Sequence, residues 1–209
     1  MTTTLDLMAV FRGAPIIYSV LLLLSITACA LWLYTSLTFK MATVVPKDFL
    51  EEMRQKLLTG QSDAALEACR AEKHLAAAVI GSGISMQRHG PQMVRDAMQS
   101  EGKRYGASLW QRISLLNDIA MIAPMLGLLG TVLGIFYAFY DVHRSAESLT
   151  SIFDGLGVAV GTTVAGLIVA ILAMTFHTLL THRTARLLNA AESELLSIGA
   201  LIDSPAYVK

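Results

Sequence analysis

The chain has 209 residues, 54% hydrophobic and 15% charged, with a mean hydropathy of +0.56. Soluble domains carry about 25% charged residues, so this composition excludes an ordinary soluble globule and places the chain among membrane proteins. Sixteen basic residues balance sixteen acidic ones, so there is no net basic charge of the kind a nucleic-acid binder shows, nor any interleaving of basic and aromatic residues.

In chain order, residues 1–15 form an N-terminal segment with one cation, Arg12. Residues 16–37, IIYSVLLLLSITACALWLYTSL, carry no Asp, Glu, Lys or Arg. They meet the about 20 apolar residues that a spanning helix needs. Their apolar core exceeds the roughly 7–15 residues of a cleaved signal peptide and no A-x-A site follows, so the segment reads as a retained signal-anchor. With its leucine run and no glycine face, it reads as lipid-facing. Cys29 lies inside it and Cys69 in a polar segment. Both read as free thiols, and no Cys/His pair has metal-ligand spacing.

Residues 38–118 read as a helical loop. Pro46 opens a first helix with Phe49, Leu50, Met53, Leu57 and Leu58 at helical spacing, and Gly60 ends it. Ser62 and Asp63 are candidate caps for a second helix over AALEACRA. A third covers HLAAAVIGSGISM and breaks at HGP, residues 89–91. From Pro91 onward Val94, Met98, Tyr105, Leu109, Ile113 and Leu116 keep a 3–4 rhythm into the second apolar stretch, which predicts one long helix.

That second stretch, IAMIAPMLGLLGTVLGIFYAFY, is residues 119–140. A short hairpin, 141–153, separates it from a third span at 154–180, which includes LGVAVGTTVAGLIVAILAMTF. In the tail, 181–209, Leu187, Leu188, Ala191, Leu195, Ile198 and Ile202 form another apolar stripe. Such a stripe needs a partner, either the loop helices or a neighbouring subunit. The fold class is therefore an all-α integral membrane protein with three transmembrane helices and long helical extensions.

Orientation follows from Lys and Arg near the spans. The loop 38–118 holds eleven of them, with Lys40 and Lys47 after the first span and Arg112 before the second. Arg183 and Arg186 follow the third, while the hairpin has only Arg144. The loop and tail are thus expected in the cytoplasm, and the N-terminal segment and hairpin outside.

Proline and glycine are poor helix formers, by about 3 and 1 kcal/mol against alanine. Yet the second span contains Pro124, Gly127, Gly130 and Gly134. In lipid, small residues let helices approach closely. The three glycines, 3 and 4 apart, share one face, and Gly157, Gly161 and Ala165 make a second small face in the third span. The two spans should pack closely, or meet the same neighbour closely. Pro124 is expected to kink the second span near its cytoplasmic side. Thr131 lies on or beside the first face, and Thr162 and Thr163 lie in the third span. A threonine there can simply bond its own i−4 carbonyl. Alternatively, the hydroxyls of Thr131, Thr162 and Thr163 line a water-accessible path.

The carboxylates limit the chemistry. Asp118 and Asp154 fall at span ends, with none mid-span. Proton coupling ordinarily needs an intramembrane carboxylate, so the titrating group is expected on a partner chain. His177 and His182 read as interfacial. No H-E-x-x-H and no nucleophile–base pair supports an intramembrane enzyme. A non-conducting scaffold that oligomerises through its glycine faces is the competing reading.

APMLGLLGTVLGIF, followed after the hairpin by GVAVGTTVAGLIVAI, resembles the MotA/TolQ/ExbB proton-channel family, and the layout of spans is nearest to its ExbB and TolQ members. The resemblance implies that Thr131 and Thr163 are the family's pore threonines. It implies that Gly127, Gly130, Gly134 and Gly166 are packing glycines and that Pro124 is the proline of the cytoplasmic side. It implies an inner-membrane homopentamer around a pore, holding a dimer of single-span ExbD- or TolR-like helices whose aspartate carries the proton. A TonB- or TolA-like protein would receive the work, with protons as the coupling ion and no other cofactor. The pattern departs from ExbB and TolQ at Val158, where a glutamate is usual, and near Leu172, where a proline is usual.

Overall fold

The computed structural model describes residues 14–38, 44–142 and 148–202. Among them every regular element is helical: α1 (Pro15–Thr38), α2 (Lys47–Leu58), α3 (Ser62–Ala71), α4 (Leu75–Ser85), a 3₁₀ turn (Gln87–His89), α5 (Pro91–Val142) and α6 (Ser148–Ile202). The expected outer segment 1–15 falls almost wholly outside the described residues, and of the expected hairpin 141–153 only 143–147 does, since α5 runs to Val142 and α6 begins at Ser148. The contacts divide the chain into two units. One joins α1 up to Leu33 with Ile113–Leu179. The other joins Tyr34–Arg112 with the part of α6 from Leu180.

The first unit holds the apolar windows of α1, α5 and α6, each long and apolar enough to cross a membrane. These windows bury only 17%, 28% and 22% of their residues within the chain. The rest is apolar surface that only lipid or further apolar protein can cover. In α1 the inward stripe is Ile17, Leu21 and Ala28, while Ile16, Leu22, Leu23 and Ile26 are exposed. Trp32 of α1 stacks on Phe176 of α6, with ring centroids 4.9 Å apart.

The second unit has a core of the kind water drives together. Phe49, Leu50, Met53 and Leu57 of α2, Ala65 and Cys69 of α3, and Leu75, Val79, Ile80 and Ile84 of α4 form one cluster. Val94 and Met98 of α5 and Ala191, Leu195, Ile198 and Ile202 of α6 join it. The apolar stripe of the tail is thus covered by the loop helices of its own chain. Two glycines lie against Met98: a Cβ at Gly83 would stand 2.8 Å from its Cγ, and one at Gly199 3.2 Å from its Sδ. Burial pushes the Cys69 thiol up to about 11, against a smaller opposing pull from Lys56. A groove of about 870 Å³ lies between α5 and α6 in this unit, with Trp110, Leu188 and Leu195 in its walls.

Local chemistry sets the helix ends. Pro46 precedes α2, with Asp48 in its first turn and Lys56 in its last, as the helix dipole favours. At the other end Gly60 has φ 75°. The Gln61 N–H donates to the Lys56 carbonyl at 2.9 Å and the Gly60 N–H to the Leu57 carbonyl at 3.1 Å, a Schellman closure. Helix α3 begins one residue earlier than Ser62 as a cap would allow. Gln61 occupies the cap position without a side-chain bond, and its carbonyl accepts from Ala65 N–H at 3.0 Å. The chain leaves the Schellman turn already wound, so Ser62 lies inside the helix. Gly90, at φ 98°, makes the break before Pro91.

His74 caps α4: its Nδ1 accepts from the Ala77 N–H at 3.2 Å. Its ring sits edge-on to Phe49 with centroids 4.5 Å apart. Burial lowers its pKa, and Glu72, with Oε2 3.9 Å from Nε2, opposes this less strongly. Only an unprotonated Nδ1 can accept the capping bond.

A testable consequence follows from the sign of that shift. The folded pKa lies below the unfolded value near 6.5, so the unfolded chain binds more protons in this window and stability falls as pH drops below about 6.5. Protection factors of the α4 amides, corrected for the intrinsic exchange rate at each pH, should fall between about pH 7 and pH 5, and His74→Asn, which keeps a capping acceptor, should abolish that fall. Equal pH dependence in the variant would refute the assignment.

Candidate functional site

The site is the contact between α5 and α6 in the apolar unit. The two helices run antiparallel there, and small residues set their distance. A Cβ built on Gly127 would stand 2.9 Å from the Thr162 carbonyl oxygen and 3.1 Å from the Thr163 Cα. One on Gly130 would stand 2.5 Å from the Thr162 Cβ. One on Gly134 would meet the Ala159 Cβ at 2.9 Å and the Gly155 carbonyl at 3.0 Å. From the other side, Gly166 would meet the Ala123 carbonyl at 2.6 Å, and Gly155 the Ala138 Cβ at 2.6 Å. None of these positions has room for a methyl group without movement of backbone. This is the reason for five glycines that weaken both helices.

The face of α5 therefore runs through Ala123, Gly127, Gly130, Gly134 and Ala138. The opposing face of α6 runs through Gly155, Ala159, Thr162 and Gly166. Gly127, Gly130, Gly134 and Gly166 lie in this contact as packing residues. Gly157 does not: a Cβ there meets nothing within 4 Å. Gly161 is half-buried. The third span offers two small stripes in its sequence, 157/161/165 and 155/159/162/166, and the helix turns the second one toward α5. Gly155 and Ala159 were not legible as partners because both stripes are equally small.

Three threonine hydroxyls gather around one backbone carbonyl, that of Gly127. Thr163 Oγ1 donates to it across the interface at 3.2 Å. Thr162 Oγ1 lies 3.4 Å from it and Thr131 Oγ1 3.5 Å. Each hydroxyl has one proton to give. That of Thr162 has a closer acceptor in the Ala159 carbonyl at 2.8 Å, and that of Thr131 in the Leu128 carbonyl at 2.6 Å. The Thr131 and Thr163 oxygens are 3.4 Å apart.

Burial separates the three. Thr162 is fully enclosed between the helices, pegged over Gly130. It was expected beside a path, but it is a packing residue in this contact. Thr131 and Thr163 are half-buried and sit side by side at the edge of the contact. Their protons are committed to backbone carbonyls, so what they present outward is lone pairs. The pair is a hydrogen-bond acceptor for a proton-bearing group.

Pro124 lies inside α5, which continues unbroken through it. Having no N–H, it leaves the Ala120 carbonyl without its usual helical donor. Asp118 is exposed. His177 is half-buried, and its Nδ1 is enclosed with no hydrogen-bond partner among the described residues. Among those residues no group of His, Cys, Asp and Glu is placed to hold a metal ion.

The sequence profile of the MotA/TolQ/ExbB proton channel family matches residues 67–193. A Synechocystis protein named for its likeness to the biopolymer transport protein ExbB is 30% identical over 184 residues, covering 83% of this chain and 70% of its own. A homologue of the same transport protein from Methanothermobacter thermautotrophicus is 27% identical over 144 residues, 69% of this chain and 51% of its own. The biopolymer transport protein exbB1 of Vibrio cholerae is 49% identical over 61 residues, 28% of this chain and 27% of its own. The matched part of this chain thus spans from about a quarter to 70% of these relatives.

The glycine contact makes a graded prediction. Gly130→Ala and Gly166→Ala should each lower the unfolding temperature in detergent by several degrees, as overpacking costs about 1–3 kcal/mol. Gly157→Ala should leave it unchanged or slightly raised, since alanine is the better helix former. Equal effects at all three positions would contradict the assigned face.

Proposed function

Because the chain belongs to the MotA/TolQ/ExbB proton channel family, we propose that it is the ExbB/TolQ-type subunit of an inner-membrane complex that turns proton flow into work on an envelope protein. The observation that carries this reading is the Thr131–Thr163 pair, 3.4 Å apart at the edge of a glycine-packed contact that holds no carboxylate of its own. Two lone-pair donors in an apolar wall suit a path that accepts a protonated group from elsewhere. In this reading several copies, five by resemblance, surround a pore. The protonated group is an aspartate on a paired, single-span ExbD- or TolR-like helix. The threonines accept its hydrogen bond in the neutral state and release it on ionisation. Pro124 bends α5 at the cytoplasmic mouth, and the freed Ala120 carbonyl adds one more acceptor there. A TonB- or TolA-like protein takes up the work. The chain itself performs no covalent catalysis and uses no cofactor besides the proton.

The competing reading, a non-conducting scaffold, relied on glycine faces to join copies. Gly127, Gly130, Gly134 and Gly166 are occupied by the contact within the chain, so a scaffold would have to assemble through other surfaces.

Two measurements test the proposal. In proteoliposomes holding the chain with its single-span partner, Thr131→Val with Thr163→Val should cut proton flux at least about tenfold, the weight of about 1.4 kcal/mol. Thr131→Ser with Thr163→Ser should retain most of it. Unchanged flux in the valine pair would remove the threonines from the path. For orientation, in cells with Cys29 and Cys69 replaced by alanine, Ala146→Cys should react with an impermeant maleimide added from outside. Glu194→Cys should react only after permeabilisation, and the reverse pattern would invert the topology.

A further inference from the structure

The Thr38 end of α1 is flanked by arginines from two other helices. Thr35 is buried, 4% exposed, and fixes which side of α1 faces inward. Its neighbours in sequence lie to either side. Tyr34 meets Arg112 of α5, whose guanidinium carbon is 5.8 Å from the ring centroid. Ser36 Oγ accepts a hydrogen bond from Arg183 Nη1 of α6 at 2.8 Å. One turn on, Arg186 donates from Nε to the His182 carbonyl at 3.4 Å. All of these residues belong to one unit.

The charges of Arg183 and Arg186 have no carboxylate beside them in sequence: there is no Asp or Glu in α1 and none between 155 and 191 in α6. Among the described residues no carboxylate pairs with Arg183 or Arg186. These two lie three apart on an exposed face, a spacing at which like charges repel and weaken a helix unless an anion lies between them. The Ser36 bond uses one of the five N–H donors of Arg183 and holds its guanidinium in place, so four donors remain. Fixed, forked and unpaired, such a group matches a phosphate in two-pronged fashion.

Position selects the source of the phosphate. Ser36 lies in the last turn of an apolar helix, and Arg183 follows directly on a stretch of α6 without a charged residue from Gly155 to His182. Beside Ser36, Leu37 is 62% exposed, which offers a carbon surface next to the donors. A free phosphate would use the arginines alone. A phospholipid would use the arginines and the leucine together.

The geometry points to a site for the phosphate of an anionic phospholipid, formed by Arg183 and Arg186 with Ser36 as the positioning residue and Arg112 as the second flank. The lipid neutralises the arginine pair and seats the end of α1 against α6. This assignment is independent of whether the chain conducts protons.

Native mass spectrometry of the full chain in detergent tests it, with phosphatidylglycerol, phosphatidylcholine and inorganic phosphate as probes. Each arginine near a lipid surface contributes about a fivefold preference for anionic lipid. The wild type should therefore retain phosphatidylglycerol at least about tenfold over phosphatidylcholine. Arg183→Gln with Arg186→Gln should lose most of that preference, and Ser36→Ala should lose part of it. Arg88→Gln with Arg95→Gln, which removes the same charge elsewhere, should keep it. Equal loss in the two arginine pairs would mean a diffuse charge effect and overturn the site. So would competition by millimolar inorganic phosphate, which would assign a soluble anion. Unfolding temperatures measured in phosphatidylcholine should match across the variants. A double glutamine variant that unfolds there is replaced by Arg183→Lys, which keeps the charge, loses the fork and should retain an intermediate preference.

Discussion

Everything in the apolar unit depends on how near two backbones can come. Lipid gives no hydrophobic reward for bringing α5 and α6 together, so cohesion rests on dispersion between atoms in contact. Glycine at 127, 130, 134, 155 and 166 removes the side chains that would hold the backbones apart. The nearness has a second effect. It places the Gly127 carbonyl of one helix within reach of hydroxyls from the other. A single methyl group at Gly127 would separate the helices and disperse the threonines together.

The other unit is built on a different basis. Its core is a conventional aliphatic cluster in which Met53, Ile80 and Ile198 are almost wholly buried. Burying one such side chain contributes about 1.5–3 kcal/mol. Its short helices have defined ends; α2 and α3 are amphipathic, and α4 is apolar and mostly buried. The long helices α5 and α6 supply residues to both units. Their sequences change character accordingly, from spaced apolar positions among charges to continuous apolar runs with glycine stripes.

Much of this was legible in the sequence. Charge-free length gave the three apolar helices, and the 3–4 rhythm of Val94, Met98, Leu109, Ile113 and Leu116 gave an α5 that begins at Pro91 and runs on without a break. The stripe from Ala191 to Ile202 was readable, but its partner was not, because periodicity says that a face is covered and not by what. The glycines of α5, spaced 3 and 4 apart, share the face that meets α6. The phase of α6 was not readable: two small stripes a short rotation apart cannot be ranked without the opposing surface. For the same reason Thr162 and Thr163, adjacent in sequence, could not be told apart. One is enclosed and the other stands at the edge, a consequence of a 100° turn per residue. The cap by His74 was missed because histidine is an uncommon capping residue, and the missed start of α3 came from a turn that hands the chain over already wound.

The seating of Thr162 over Gly130 also bears on how this chain can change over time. A peg and its socket are one character written at two positions. Enlarging the socket residue is harmful while the peg is present, and trimming the peg leaves a void while the socket stays empty. Substitutions at 130 and 162 are thus conditional on each other, and their energetic effects should not add. Divergence along this contact then proceeds by paired exchanges or hardly at all, whereas Gly157, which faces open space, is at liberty to drift.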